Sequence, residues 1–204
     1  MNCLVKASRR RLPQQRRARH TVDAVLDAVV RILKREGCAA VTTNKVAETA
    51  GVSIGSLYQY FPDKRAIFIA LHERHVETID RMVEAKLLEY AALPLDSVMR
   101  AMVEAMIEAH EGDPKLCQLL YSEVPHKADG TRAFSVRLHG AFRLAIAAKS
   151  NELGTPRDLD TVAFVVTHMV EALSHGAVLR RPAGMSLADA REEAVRAVLA
   201  YLHA

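Results

Sequence analysis

The 204-residue sequence contains few of the residues that mark several protein classes: three cysteines, no tryptophan, nine glycines and seven prolines. Three widely spaced cysteines form neither a disulfide framework nor a zinc-ligand pattern. So few glycines and prolines exclude a β-sandwich or β-barrel, which needs many turns. No uninterrupted apolar run approaches the roughly 18 residues of a membrane span, and arginines interrupt the N-terminal segment where a signal peptide needs an apolar core. We therefore expect a cytoplasmic protein without membrane contact.

Positive charge is concentrated in the first third of the chain. Residues 1–65 contain 13 Lys or Arg and 5 Asp or Glu, whereas the remaining 139 residues contain 15 and 19. The first 20 residues include seven basic side chains and no acidic one. This asymmetry is typical of a polyanion-binding module joined to a neutral body, although a solvated basic arm would give the same count.

Apolar residues recur at helical spacing through most of the chain and alternate nowhere over a useful length. The first apolar face begins at Val22, and Gly37 is expected to end that helix as a left-handed cap. Two short helices follow with Thr42 and Ser53 as N-caps, and a long helix is expected to begin at Pro62. The remaining helices are expected over about 95–110, 114–122, 128–150, 157–179 and 187–202. The sequence therefore predicts an all-α fold of about nine helices.

Residues 42–61 have the pattern of a helix-turn-helix. Gly51 supplies the tight turn between two short helices, and the small Ala47 lets these helices approach closely. Three apolar side chains are expected to face inward and fix the crossing angle: Val46, Val52 and Leu57. The alternative is a helix pair inside an ordinary bundle.

The outward face of the second short helix carries no acidic side chain and consists of Ile54, Gly55, Ser56, Tyr58, Gln59 and Tyr60. Hydroxyl groups and exposed backbone N–H groups near a helix N-terminus suit phosphate oxygens. The small Gly55 and Ser56 would let the helix enter the major groove deeply, where Gln59 could contact a base edge. This face therefore predicts DNA binding.

The run Thr42–Phe61, followed by Pro62-Asp63-Lys64, resembles the DNA-binding signature of TetR-family transcriptional regulators. The turn glycine, the Leu-Tyr pair, the following aromatic residue and the Phe-Pro-x-Lys ending fall in register, and the resemblance covers about residues 20–70. The contacts that it implies are phosphate contacts from Thr42, Thr43 and Lys64, base contacts from Ser53 to Ser56, and backbone contacts from Tyr58 and Tyr60.

Two positions depart from the family pattern. Many members have a basic residue near the position of Val22, whereas the nearest candidates here are Arg16, Arg17 and Arg19. Many also have histidine at the position of Tyr60.

The resemblance implies a homodimeric repressor that binds a palindromic operator and is released by a small-molecule effector. The expected domains are a basic flexible arm over 1–18, a helix-turn-helix DNA-binding domain over 19–66, and an effector-binding and dimerisation domain over 67–204. Effector contacts are expected from Met99, Met102, Met106, Tyr121, Phe142 and Met169, although methionines also fill ordinary cores. Dimer contacts are expected from Val162, Val166, Leu173, Val195 and Leu199, because the last two long helices pair in this family. The alternative for these two helices is packing within one chain only. We expect no cofactor, no metal and no catalytic residue.

Two other interpretations remain open at this stage. The chain could be an all-α enzyme or ligand carrier whose N-terminal helices only resemble a DNA reader, or a helical scaffold that dimerises without a ligand. No catalytic constellation is apparent in the sequence. One predicted helix carries His168, Glu171 and His175 at i, i+3 and i+7, which could hold a transition metal, although packed histidines are the commoner occurrence. The pair His72 and His75 lacks the spacing of a zinc protease.

Overall fold

The computed structural model describes residues 16–124, 129–155 and 157–204. Within these ranges the chain forms nine α-helices, two 3₁₀ turns at Cys38–Ala40 and Ser150–Glu152, and no strand. The helices are α1 Arg16–Glu36, α2 Thr43–Ala50, α3 Ile54–Tyr60, α4 Lys64–Tyr90, α5 Leu95–Glu111, α6 Pro114–Glu123, α7 Asp129–Ala147, α8 Leu159–Leu179 and α9 Leu187–His203. The predicted all-α fold is confirmed.

Helix ends agree with the sequence predictions to within a few residues, with three differences. Helix α1 begins at Arg16, inside the expected N-terminal arm, and residues 1–15 of that arm lie outside the described residues. Helix α4 begins two residues after Pro62, because the Asp63 carboxylate accepts a hydrogen bond from the Ala66 backbone N–H at 2.8 Å and so caps the helix. Gly37 has φ 84° and ψ 177°, which is a glycine conformation but not the predicted left-handed helical one.

Contacts along the chain divide it into two units. The first unit contains the chain up to Arg74 together with the segment that begins at Lys115. The second unit contains His75–Pro114 and Asp129–Ala204. Helix α4 therefore contributes residues to both units.

The first unit is built around the apolar stripe of α1. Its core contains buried side chains from α1, α2, α3, α6 and the start of α4, among them Val25, Val29, Val46, Leu57, Phe61, Phe68 and Leu120. Polar contacts at the edge fix the helices further, since Arg31 donates to the Thr49 carbonyl at 3.0 Å and Arg74 pairs with Asp27 at 2.6 Å. A small core thus holds α2 and α3 in place.

The second unit is a bundle in which α8 packs on α5, α7 and α9. Its core is formed by buried side chains from these helices and the rest of α4, including Val76, Met102, Phe142, Val166 and Val198. Arg100 on α5 makes a two-pronged ion pair with Glu192 on α9, at 2.8 and 3.2 Å. By length and composition alone α8 could cross a membrane, and part of its surface belongs to the buried core of this bundle.

Candidate nucleic-acid interface

The turn between α2 and α3 is closed by Gly51 in the left-handed conformation, with φ 69° and ψ 29°. The Gly51 N–H donates to the Glu48 carbonyl at 3.1 Å, and the Val52 N–H donates to the Ala47 carbonyl at 3.0 Å. These bonds satisfy carbonyl groups that the end of α2 would otherwise leave unpaired. A residue with a Cβ would be strained here, so the predicted role of Gly51 is confirmed.

Hydroxyl side chains cap both short helices, as the sequence predicts. The Thr42 oxygen accepts from the Lys45 backbone N–H at 3.3 Å, and the Ser53 oxygen accepts from the Ser56 backbone N–H at 3.0 Å. The Ser53 and Ser56 hydroxyls also hydrogen-bond to each other at 2.8 Å. A hydroxyl has one donor and two acceptor positions, so both serines keep capacity for a further bond while they hold the N-terminus of α3.

Burial separates the two faces of α3. Leu57 is fully buried, Val46 of α2 is buried beside it, and Val52 packs half-buried against the same core. The three inward-facing residues are therefore those that the sequence predicts. The outward residues are Ile54, Gly55, Tyr58 and Gln59, which are exposed, and Ser56 and Tyr60, which are half-buried.

Two hydroxyl groups from different helices meet on this surface. Thr43 Oγ1 of α2 lies 3.3 Å from the Tyr58 phenolic oxygen of α3, and either atom can donate. The Tyr58 side chain is 41% exposed. Two hydroxyls at this separation can donate together to one phosphate oxygen or share it through water.

The basic side chains near the two short helices differ in their partners. Lys45 forms an ion pair with Glu36, which offsets its charge. Lys64 is the first residue of α4, and its ammonium group lies 5.1 Å from the centroid of the Phe68 ring, which orients it. Arg65 is exposed next to it. Positive charge therefore remains at the start of α4, where backbone N–H groups also favour anions.

Sequence reasoning missed the two hydroxyl pairs. The Ser53–Ser56 pair has a sequence signal, because a capping serine and a residue three positions later face each other in a first helical turn. The Thr43–Tyr58 pair has none, since it depends on the angle at which α2 crosses α3. The exposed and half-buried residues of this region are together called the α2–α3 surface below: Thr42, Thr43, Ser53, Ile54, Gly55, Ser56, Tyr58, Gln59, Tyr60 and Lys64.

The expected effector residues separate into two groups. Met99, Met102, Met106 and Phe142 are fully buried in the core of the second unit, and Met169 packs against that core. Tyr121 lies on α6 in the first unit, where its side chain is 41% exposed. Tyr121 and the other five expected effector residues therefore belong to different units.

Three of the expected dimer residues, Val162, Val166 and Val195, have no exposed surface because each packs inside its own chain. Leu173 and Leu199 are half-buried against the same core. The exposed apolar side chains of this bundle include Val136, Leu144 and Phe164.

The two histidines of α8 have different neighbours. The His168 ring stacks on Phe164 with centroids 4.2 Å apart and is exposed. The Glu171 carboxylate accepts from the Ser135 hydroxyl at 3.1 Å, and burial raises its pKa. His175 instead lies against His110 of α5, with ring centroids 4.3 Å apart. The spacing of His168, Glu171 and His175 therefore does not bring them to one ion.

Similarity to known proteins covers both units. Residues 25–71 match the model described as bacterial regulatory proteins of the tetR family, and residues 94–202, more than half the chain, match the tetracyclin repressor-like C-terminal domain. Nucleoid occlusion factor SlmA of Haemophilus ducreyi is 33% identical over 97 residues, which is 47% of each chain. The transcriptional repressor KstR of Rhodococcus jostii is 35% identical over 82 residues, 38% of this chain and 39% of that protein.

The chain thus spans less than half the length of these curated relatives. The similarity in fold covers more of the chain than the similarity in sequence. The fatty acid degradation regulator FadR of Bacillus halodurans superposes with a TM-score of 0.70 at 16% identity, over 88% of this chain and 94% of that one. The arrangement of helices and the two matched domains lead to one conclusion: the chain belongs to the TetR family of bacterial regulators.

Proposed function

We propose that the protein is a homodimeric, sequence-specific transcriptional repressor that binds a palindromic operator and leaves it when a small-molecule effector binds. It acts by binding rather than by catalysis, and its place is the cytoplasm, where its DNA is. The observation that carries the proposal is the α2–α3 surface, where the Thr43–Tyr58 and Ser53–Ser56 hydroxyl pairs lie on the same two short helices without an acidic side chain between Ser53 and Pro62.

The dimensions of α3 support its role as the recognition helix. Seven residues make a helix about 10 Å long, and the major groove of B-DNA is about 12 Å wide. Thr42, Thr43, Tyr58, Tyr60 and Lys64 would contact phosphates on either side of the groove. The residues that would then face the base edges are Ser53, Ile54, Gly55, Ser56 and Gln59.

A two-fold dimer is supported by the character of α8. Only 39% of its most apolar 18-residue window is buried within the chain, although a core helix of a monomer would be mostly buried. Phe164 on α8 is 55% exposed, and Leu173 and Leu199 are only partly covered. Two-fold symmetry would present two α3 helices to half-sites about one helical turn, or a multiple of it, apart.

The effector is proposed to bind in the methionine-rich interior of the second unit. Methionine adapts its shape to varied apolar ligands. Within the described residues the Ser174 hydroxyl of α8 is fully buried and has no hydrogen-bond partner, and such a group costs about 1–3 kcal/mol. A ligand with a polar group next to an apolar body would satisfy it. Helix α4, which runs from Lys64 into the second unit, is the proposed lever.

The relatives' names leave a second function to be tested. SlmA is named a nucleoid occlusion factor and KstR a transcriptional repressor, and each matches less than half of its length. The α2–α3 surface of this chain favours DNA binding under either function. Binding to the promoter of the protein's own gene, relieved by a small molecule, would distinguish the repressor.

The decisive experiment is a titration of promoter DNA with protein over a series of salt concentrations. Tyr58→Phe removes the hydroxyl but keeps the ring, so we expect affinity to fall about two- to tenfold for all sequences, as for one hydrogen bond. Lys64→Gln should lower the salt slope by about one, because one phosphate contact no longer releases a counterion. Tyr121→Phe is the matched control, since Tyr121 is 41% exposed like Tyr58 but lies on α6.

Gln59→Ala tests base contact on the same DNA. Loss of a base-edge contact should change the preference among single-base operator variants by about 1–3 kcal/mol at one position. Equal discrimination by both proteins would exclude Gln59 as a base reader. Absence of binding to the promoter and to genomic fragments at low ionic strength would exclude the proposed function altogether.

A further inference from the structure

Three histidines from three helices converge within the second unit. The rings of His110 on α5 and His175 on α8 have centroids 4.3 Å apart and meet edge to face at 70°. The ring of His75 on α4 lies 6.1 Å from that of His110, at 81°. His110 is buried, and the other two are half-buried. These residues are called the histidine cluster below.

Hydrogen bonds orient two of the three rings. The Nδ1 atom of His110 lies 2.5 Å from the Met106 carbonyl oxygen, and the Nδ1 atom of His175 lies 2.9 Å from the Glu171 carbonyl oxygen. A carbonyl oxygen can only accept, so each Nδ1 carries the hydrogen. In a neutral imidazole the lone pair is then on Nε2. This is the arrangement by which proteins prepare a histidine to bind a metal ion.

Burial and one hydrogen bond fix the His110 ring. Its side chain is 3% exposed, and the Nδ1–H bond to the Met106 carbonyl holds the ring in one orientation. The His110 ring therefore presents its Nε2 inside the bundle.

The distance between two of the rings matches that of a shared ion. Ligating nitrogen atoms of His110 and His175 lie within 4.8 Å of each other. With zinc–nitrogen bonds of about 2.0–2.1 Å in a tetrahedral site, the centroids of two bound imidazoles lie about 5 Å apart. The 4.3 Å centroid separation of His110 and His175 is close to that value, whereas the 6.1 Å separation of His75 and His110 is longer, so the His75 side chain would have to rotate toward the pair to complete the site.

We propose that His75, His110 and His175 bind one divalent transition-metal ion, with Zn²⁺ as the best match to three imidazole ligands and Co²⁺ as its spectroscopic substitute. Imidazole is a ligand that suits zinc, copper and nickel. Three protein ligands leave the fourth tetrahedral position to water or an exchangeable anion. This proposed site differs from the sequence expectation of no metal, and only His175 belongs also to the spaced set His168, Glu171 and His175 of α8.

The competing interpretation is that the three rings pack edge to face without an ion, as aromatic rings do. The two interpretations predict different responses of the protein to added metal. Tag-free, full-length protein is treated with a chelator, dialysed, and titrated with Zn²⁺ by calorimetry and with Co²⁺ by visible absorption. We expect one equivalent to bind and to raise the melting temperature, with the intense absorption bands of tetrahedral Co²⁺.

Variants of the histidine cluster are compared with one matched control, His168→Gln. His168→Gln removes another α8 histidine whose Nδ1 also bonds the carbonyl one turn earlier, at 2.8 Å from Phe164, but which is outside the cluster. We expect at least tenfold weaker binding in His110→Gln and His175→Gln, and unchanged binding in His168→Gln. Since His110 is buried and its variant can unfold, the half-buried His75→Gln and His175→Gln, checked by circular dichroism, decide the outcome.

The proposal is overturned if the wild-type protein binds no stoichiometric Zn²⁺, or if His168→Gln weakens binding as much as His175→Gln does. It is also overturned if both half-buried variants fold and bind Zn²⁺ as tightly as the wild type. None of these readouts uses DNA, so they test the metal site independently of the proposed repressor function.

Discussion

The two units place their polar groups in opposite ways. In the first unit the hydroxyl, amide and ammonium groups of α2, α3 and the start of α4 lie on or near the surface, over a small apolar core. In the second unit polar groups lie inside the bundle. The buried polar residues of the described chain, His110, Thr167 and Ser174, all belong to the second unit.

This difference indicates how each unit meets its partner. A surface array of donors can contact a large rigid partner such as a duplex without any opening of the fold. A buried hydroxyl or imidazole can be reached only by something small that enters the bundle, such as an ion or an effector. Substitutions of exposed side chains of α3 such as Tyr58 and Gln59 should therefore change binding more than stability, and substitutions inside the second unit should change stability first.

The sharpest comparison uses two phenylalanines of the second unit. Phe142 is fully buried in the core, and Phe142→Ala should lower the free energy of unfolding by about 3–5 kcal/mol through lost contacts and a residual cavity. Phe164 is 55% exposed, so Phe164→Ala should change the stability of the monomer by no more than about 0.5 kcal/mol. Urea denaturation at several protein concentrations measures both.

The dimer proposal adds a concentration dependence to this pair. If Phe164 lies between two chains, Phe164→Ala should weaken self-association in sedimentation experiments, while Phe142→Ala should affect it only through unfolding. Equal self-association of wild type and Phe164→Ala would remove this residue from the interface. A small stability effect of Phe142→Ala would instead show that the second core is loosely packed.

The next comparison isolates backbone conformation at two glycines. A Cβ added at Gly51 or at Gly140 of α7 would meet nothing within 4 Å, so packing does not distinguish them. Gly51 has φ 69°, and Gly51→Ala should cost about 1–2 kcal/mol. Gly140 is helical, and Gly140→Ala should gain up to about 1 kcal/mol. Thermal unfolding of the two variants should therefore shift in opposite directions, and shifts of the same sign would contradict the turn geometry.

Local chemistry explains how much of this fold could be predicted from the sequence. The Gly51 turn and the Thr42 and Ser53 caps depend on residues three or four positions away, and these predictions are confirmed. The helix limits follow from spacing and breakers in the same way.

The burial of α8 could not be predicted so easily, because the helix is apolar on more than one face. Sequence spacing does not predict whether Val162 or Phe164 packs against the core, because the neighbouring helices determine which face of α8 is covered. The same holds for His110 and His175, which are 65 positions apart in the chain and come together only through the packing of α5 on α8.

A smaller effect is expected from the serines that hold the start of α3. Ser53→Ala removes the cap and should cost about 1 kcal/mol, because the Ser56 backbone N–H loses its acceptor. Ser56→Ala should cost less, since it removes only the bond between the two hydroxyls. Hydrogen exchange of the Ser56 amide should accelerate in Ser53→Ala and stay slow in Ser56→Ala. Equal acceleration would mean that the Ser56 hydroxyl is as necessary for the cap as Ser53.

The smallest effect concerns the cap of α8, which differs from the Ser53 cap because it carries a charge. Asp158 accepts from the Thr161 hydroxyl at 2.7 Å and from the Thr161 N–H at 2.8 Å, and these bonds lower its pKa below the ordinary 3.8. A lowered folded-state pKa stabilises the protein above pH 3.8, and that contribution is lost as the pH falls through the folded-state pKa. Asp158→Asn keeps an oxygen acceptor for the cap but cannot titrate, so it should flatten this part of the acid unfolding curve, whereas Ser53→Ala should leave its shape unchanged. Carboxyl NMR titration gives the pKa directly, and a value at or above 3.8 would show that the cap bonds do not favour the ionised form.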